Sequence, residues 1–385
     1  MKRHRASSAA FISTYPPRQC GIATFTKDLT KAFNRIPKNP FKTKIVAMNN
    51  SHSKYIPYPS EVKLKIRDNV LGDYSRAARK INRRKSIKIV NVQHEFGLYG
   101  GKYLNYLTAF YEYIHVPVVT TFHTVIPNPP ESLKCTVKYI AKKSACIIVL
   151  TKTAVKILEK DYGIRKSKIK LIPHGIHNVP FEPSKIQKSK LGLEDKLIIS
   201  SFGLVTGGKN YEAVIKALPK IVKKYPNLLY LILGRTHPGI YKQEGEKYRN
   251  KLKKLIKKLK LENNVKFVNK YLKQKELLQY LRASDVFVSS GLGLHQIVSG
   301  TLSYAVGCGR PVITIPFLHA KELITKDRGI LVDIGDSKSY AKAVIKLLSN
   351  QKLRERMSKN AYKASRFMLW DNVVKSYMEV FKKYT

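Results

Sequence analysis

Four short runs in this chain carry residue types suited to chemistry on an anionic, hydroxylated ligand. The first, Tyr15-Pro16-Pro17-Arg18-Gln19-Cys20-Gly21, leads an apolar run into a helical one through a glycine. At such a turn Gly21 lets backbone N–H groups come close to a ligand. A helix N-terminus adds unpaired donors and partial positive charge, so a diphosphate can rest there with Arg18 nearby. A tight strand-to-helix turn that holds nothing would want the same glycine, and on spacing alone both readings stand. The second pair, His94 in Gln93-His94-Glu95 and His123 in Phe122-His123-Thr124, ends two β-like runs. An imidazole placed there can hydrogen-bond a sugar hydroxyl or a phosphate oxygen while staying largely neutral near pH 7. A lone histidine is more often structural, but two at equivalent strand ends favour function, with Glu95 as an acid/base or orienting partner.

The third run, Phe202-Gly203-Leu204-Val205-Thr206-Gly207-Gly208-Lys209-Asn210, again joins strand to helix through glycines and sets Lys209 at the helix start. A lysine there can neutralise charge that builds on a departing diphosphate. The fourth, Gln296-Ile297-Val298-Ser299-Gly300-Thr301-Leu302-Ser303-Tyr304, continues to Gly309-Arg310-Pro311-Val312. Ser299-Gly300-Thr301 predicts the opening of a short helix with capping oxygens and free amides, a seat for the diphosphate or sugar of a donor. The alternative is a capped helix with no ligand.

These runs sit in a regular alternation of strands and helices. Strands are expected at Ala9 to Thr14, Lys44 to Met48, Ile87 to Gln93, Val116 to Phe122, Cys146 to Leu150 and Lys168 to Ile172. Helices are expected at Ile22 to Phe33, Lys102 to Tyr113, Leu133 to Lys143 and Thr153 to Tyr162. That rhythm predicts a parallel α/β domain closing near Gly175. The proline-rich, aperiodic segment from Val179 to Ser184 reads as a connection. A second series follows, with strands at Leu197 to Phe202, Leu228 to Leu233, Val265 to Val268, Val286 to Ser289, Val312 to Ile315 and Ile330 to Val332, and a helical C-terminus. Ligands of open α/β sheets gather at the carboxyl ends of the strands, where all four chemical runs fall.

Composition bounds the remaining classes. A chain of 385 residues exceeds what one core usually organises, and 43% hydrophobic residues mark it as globular. No apolar run approaches the roughly 20 residues that cross a bilayer. The opening Met1-Lys2-Arg3-His4-Arg5 and the short run after it lack a sustained apolar signal core, so a cytoplasmic protein is expected. Four scattered cysteines suggest neither a disulfide framework nor a zinc site. The net charge of +48 attracts polyanions at low salt, yet the basic residues are spread along the whole chain. In the densest run, Lys251 to Lys260, Leu252, Leu255, Ile256 and Leu259 recur at helical spacing, so its lysines read as the wet face of a helix. A membrane-surface role for that helix stays open.

Taken together, the runs resemble the retaining family 4 glycosyltransferases, particularly a subgroup whose first loop reads Tyr-Pro-Pro-Arg-x-Cys-Gly-Ile-Ala-Thr-Phe, as Tyr15 to Phe25 do here. Further matches are Ile172-Pro173-His174-Gly175, Leu231-Ile232-Leu233-Gly234, Tyr271 with Glu276-Leu277-Leu278, Ser299-Gly300-Thr301-Leu302 and Gly309-Arg310-Pro311-Val312. The resemblance implies the GT-B fold: two Rossmann-like α/β domains facing a central cleft. Residues 1–178 would form the acceptor side, 179–366 the nucleotide-sugar-binding domain, and 367–385 a helix packing back on the first domain.

By carry-over, His123 and Lys209 look like the residues at the transferred sugar and the phosphate. Gly21, Gly203, Gly234, Tyr271, Gln296, Ser299, Gly300, Thr301 and Tyr304 fall on the donor side, and Arg18, His94 and Glu95 on the acceptor side. Gln296 and Tyr304 stand where the family commonly has glutamates, and Leu204 where many members have an arginine. A ribose contact is then weakened or made by another residue.

The activity implied is transfer of a hexosyl group from a GDP- or UDP-hexose to a glycan or lipid-linked acceptor with retained configuration. No cofactor or metal is expected, since no Asp-x-Asp occurs. Two alternatives remain: a weak or inactive nucleotide-sugar-binding protein, and a polyanion-binding protein, with nucleic acid disfavoured by the scattered charge. Peripheral contact with an anionic membrane on its inner face would suit a lipid-linked acceptor.

Overall fold

The structure is a computed structural model that describes residues 7–50 and 56–385; the basic opening Met1 to Arg5 lies outside the described residues. The chain divides into two compact units, Met1–Gly175 with Met368–Thr385, and Ile176–Phe367.

The first unit is built on seven strands: β1 (Ser7–Ser13), β2 (Phe41–Asn49), β3 (Val62–Arg67), β4 (Ile87–His94), β5 (Val118–Phe122), β6 (Cys146–Val149) and β7 (Ile169–Leu171). They lie in the order β3-β2-β1-β4-β5-β6-β7, and every pairing is parallel. The central strands are apolar runs buried from end to end, as β6 is over Cys146–Val149, because helices cover both faces of a parallel sheet. One such helix, Gly21–Arg35, sets Phe33 edge-on to Phe11 of β1 at 5.5 Å. The last helix, Trp370–Lys383, stacks Phe381 on Phe33 at 5.5 Å, so the C-terminal segment completes this core. Gly175 is pressed against the same helix: a Cβ there would lie 2.2 Å from the Trp370 ring.

The second unit has β8 (Leu197–Phe202), β9 (Leu228–Leu233), β10 (Val265–Val268), β11 (Val286–Ser289), β12 (Val312–Thr314) and β13 (Gly329–Leu331). Their order is β10-β9-β8-β11-β12-β13, again all parallel. A buried ion pair holds its opening segment, with Lys188 Nζ 2.6 Å from Asp285, which also accepts from the Ile198 amide at 2.7 Å. The lysine-rich helix Lys247–Lys258 buries Leu252 and Ile256 and leaves its lysines exposed, as expected. Arg249 departs from that pattern and is only 2% exposed.

Three local differences have physical causes. Strand β3 and the helix Leu71–Asn82 were not anticipated. β3 is an edge strand in which Lys63, Lys65 and Arg67 alternate outward with Val62, Leu64 and Ile66, and such charge guards an open edge while masking the β pattern. The single helix expected from Lys102 to Tyr113 is broken into a 3₁₀ turn, Lys102–Leu104, and a helix, Tyr106–Tyr113. Leu104 adopts a left-handed backbone, φ 66°, which no α-helix accommodates. β5 starts at Val118 instead of Val116, because the intervening Pro117 has no N–H to give a ladder.

Candidate functional site

In the first unit the carboxyl ends of β1, β4 and β5 carry the expected residues. Cys20 caps the helix Gly21–Arg35, its Sγ accepting from the Ala23 amide at 3.3 Å. Gly21 is exposed, has no left-handed backbone, and a Cβ there would meet nothing within 4 Å. A tight turn therefore does not require glycine at this position, and the space above it is open. Arg18 is half-buried, and its Nη1 donates to the Met48 carbonyl at 3.4 Å.

The two histidines differ in placement. His94 is 0% exposed, enclosed by Phe122, Phe96 and Tyr99, and neither ring nitrogen has a hydrogen-bond partner. The expectation that it touches an acceptor is corrected here: a fully enclosed ring meets nothing at the surface. Burial holds its pKa down to about 3, so it is neutral. His123 is 5% exposed, donates its backbone amide to the His94 carbonyl, and holds Gln93 Oε1 at 2.6 Å through Nε2. Phe25 meets its ring edge-on at 4.7 Å. Burial, helped by the neighbouring His174 and His94, also lowers its pKa to about 3. Glu95 accepts from the Phe96 amide at 2.7 Å and from Thr124 Oγ1 at 2.8 Å, and burial raises its pKa. Both carboxylate oxygens are thus engaged within the unit.

In the second unit the ends of β8 and β9 come together through two glycines, Gly203 and Gly234, each with φ 139°. A Cβ on Gly234 would lie 2.1 Å from the Gly203 carbonyl oxygen, so no side chain fits. Around Gly203 the chemistry assembles: a Cβ there would lie 3.6 Å from Lys209 Nζ and 3.7 Å from Thr301 Cγ2. Lys209 follows the 3₁₀ turn Gly207–Lys209, and its carbonyl accepts from Ser290 Oγ at 2.8 Å. Asn210, left-handed at φ 47°, then starts the helix Tyr211–Val222. Burial alone pulls the Lys209 pKa down, with no acidic group offsetting it.

Ser299 caps the helix Gly300–Gly307 as expected, its Oγ accepting from the Leu302 amide at 3.3 Å. Its own amide donates to His319 Nδ1 at 2.9 Å, so of the three amides expected to be free, Ser299's is already taken. The first-turn amides of Gly300 and Thr301 lack intrahelical acceptors by geometry, and no cap oxygen reaches them among the described residues. Gln296 is exposed and donates to the Val298 carbonyl at 2.9 Å. Tyr304 is 8% exposed and stacks on His177 at 5.5 Å, and His177 Nδ1 pairs with Gln274 Nε2 at 2.6 Å. Tyr271 is 39% exposed beyond β10.

Two residues near this site escaped sequence reading. His319 seats Ser299, and Arg249 donates to the Gly234 carbonyl at 3.3 Å while Glu246 holds its Nε at 2.9 Å. Neither lies in a recognisable motif; both arrive from distant elements. Among the described residues, no group of three or more His, Cys, Asp or Glu is placed to hold a metal. Among the described residues no helix is long and apolar enough to cross a membrane.

Two parallel-sheet α/β units with this strand order define the GT-B class of glycosyltransferase folds. Comparison with known proteins places the chain further. Residues 21–178 match the family described as Glycosyltransferase Family 4, and residues 183–364 the family described as Glycosyl transferases group 1. Together the two matches run through most of the chain, which is similar to glycosyltransferases in both of its units. An uncharacterised glycosyltransferase of Methanocaldococcus jannaschii is 27% identical over 266 residues, 60% of this chain and 62% of that protein. The match thus spans about three fifths of that curated relative. Among solved structures, sucrose-phosphate synthase of Thermosynechococcus elongatus superposes with TM-score 0.78 at 16% identity over 98% of both chains. Anabaena Alr3699/HepE in complex with UDP superposes with TM-score 0.71 at 16% identity over 98% of this chain and 100% of that one.

Proposed function

We propose that this chain moves a hexosyl group from a UDP- or GDP-hexose to a hydroxyl of a glycan or lipid-linked acceptor, with retained configuration and no metal. One observation carries the reading: the half-buried Lys209 ammonium, with no acidic partner among the described residues, lies against Gly203 and Thr301 beside the uncommitted amides of Gly300 and Thr301. A half-buried, partly desolvated cation without a counter-charge favours an anion that completes it, and amides at a helix N-terminus seat phosphate. That the Anabaena protein of the same fold is in complex with UDP supports a nucleoside diphosphate as the kind of ligand.

In this reading the bond between the anomeric carbon and the phosphate oxygen breaks, and the acceptor oxygen bonds the anomeric carbon from the same face. The departing phosphate takes the acceptor's proton. Lys209 and the two amides stabilise the charge that leaves. A thermal-shift series with UDP, GDP and ADP and their hexoses tests this. A nucleotide that raises Tm in the wild type and not in Lys209→Ala is expected, whereas equal shifts in both proteins would overturn the assignment. Turnover is expected to persist in excess EDTA, and its loss would remove the metal-free part of the proposal.

A second reading, nucleotide-sugar binding with little turnover, is favoured by Gln296 and Tyr304, which offer no carboxylate. It predicts the same thermal shifts with no transfer or donor hydrolysis. A third proposal, that the +48 chain sits on anionic membrane beside its acceptor, is checked by liposome flotation at low and high salt.

A further inference from the structure

Behind His123 the first unit holds a continuous buried polar relay. His123 Nε2 faces Gln93 Oε1, and the Gln93 side-chain amide donates to Asn91 Oδ1. Asn91 Nδ2 in turn donates to the Val119 carbonyl at 3.0 Å and to Thr121 Oγ1 at 3.2 Å. Thr121 Oγ1 lies 3.0 Å from the hydroxyl of Tyr377 on the C-terminal helix, which also faces Gln93. Asn91, Gln93, Thr121 and Tyr377 are all 0% exposed, so the relay lies wholly inside the first unit.

The direction of the links that run from Asn91 through Gln93 to His123 follows from one fixed group. The Val119 main-chain carbonyl only accepts, so Asn91 must present its NH₂ there and its oxygen to Gln93. Gln93 must then turn its NH₂ to Asn91 and its oxygen to His123. An oxygen with no hydrogen can face a neutral imidazole only if the facing nitrogen carries the proton.

We infer that Gln93, oriented by Asn91 from the Val119 carbonyl, is a positioning residue that locks His123 as the Nε2–H tautomer, leaving Nδ1 as a lone-pair acceptor for a substrate hydroxyl. A sugar hydroxyl can donate to that nitrogen; an unprotonated phosphate oxygen cannot. This role rests on the glycosyltransferase reading, but the tautomer itself does not.

The test is ¹⁵N-edited NMR of the full chain with labelled histidine, with His123 assigned by a His123→Gln control. The expected wild-type signature is one tautomer, protonated at Nε2 and neutral through the neutral range. The ionisable groups around that ring are His94 and His174, so the titration is repeated in Gln93→Glu, where a carboxylate should raise the His123 titration into the observable range. In Gln93→Leu, checked for a wild-type melting transition, mixed tautomers and a roughly 10- to 100-fold fall in kcat/KM are expected. Should Gln93→Leu prove unstable, Tyr377→Phe, which removes only the far hydroxyl, should keep the Nε2–H tautomer. An Nδ1–H or charged His123 in the wild type, or an unchanged tautomer in folded Gln93→Leu, overturns the inference. Absence of any transfer activity with the Nε2–H signature intact would instead count against the proposed function.

Discussion

The two units treat their polar groups in opposite ways. Around His123 the first unit satisfies almost everything internally, with Gln93, Asn91, Thr121 and Glu95 each engaged by a neighbour. Around Gly203 the second unit leaves donors uncommitted, namely the Lys209 ammonium and the Gly300 and Thr301 amides. A paired network fixes geometry and protonation before any ligand arrives; an unpaired one stores electrostatic demand that a ligand must meet. The contrast separates a first unit whose polar groups hold one another from a second unit whose donors are left open.

Acidification should separate the units most. His94 and His123 are both held near 3 against an ordinary value of about 6.5. The unfolded chain therefore binds protons that the folded one refuses. Stability is full above about 6.5 and falls as the pH drops toward about 3, by about 2 kcal/mol per histidine at pH 5. The first unit should melt first in acid, visible as early loss of hydrogen-exchange protection in β4 and β5. His94→Phe should remove part of this slope, and an unaltered slope would mean that the aromatic enclosure is not its cause.

Gly234→Ala should cost the second unit about 3 kcal/mol or more, since the added Cβ meets the Gly203 carbonyl and the backbone stands at φ 139°. Gly21→Ala, with open space above it, should leave the Tm of the first unit nearly unchanged. Equal losses in a denaturant series would erase the distinction between a packing glycine and an open one. Lys209→Ala should lower turnover about 10²-fold with no loss of stability, because the removed charge has no partner to orphan. Ser299→Ala, which removes the cap on Leu302, should cost about 1 kcal/mol in a urea melt.

Much of the architecture was legible because each parallel strand is an apolar run bounded by turn residues, as in Leu228–Leu233. The helix cap at Ser299 was legible for a similar reason, since a hydroxyl before Gly-Thr has a local partner. What stayed hidden was decided over long range. Phe96 and Tyr99 stand close to His94 in the chain, but the ring that completes its enclosure, Phe122, comes from the neighbouring strand, and no local pattern announces it. The Thr121–Tyr377 bond joins residues 256 positions apart. That His319 would occupy the Ser299 amide depends on the helix Leu318–Leu323 that follows β12, and no spacing rule reaches across that distance. β3 was masked by the same lysines that protect the sheet edge.

The paired glycines of β8 and β9 have one more consequence. Where Gly203 and Gly234 meet, the floor beneath Lys209 is bare main chain, and main chain cannot be altered by ordinary point mutation. Any change in what this corner of the second unit holds has to come from the side chains beside it, Lys209 and Thr301, because a side chain grafted onto Gly234 collides with the Gly203 carbonyl.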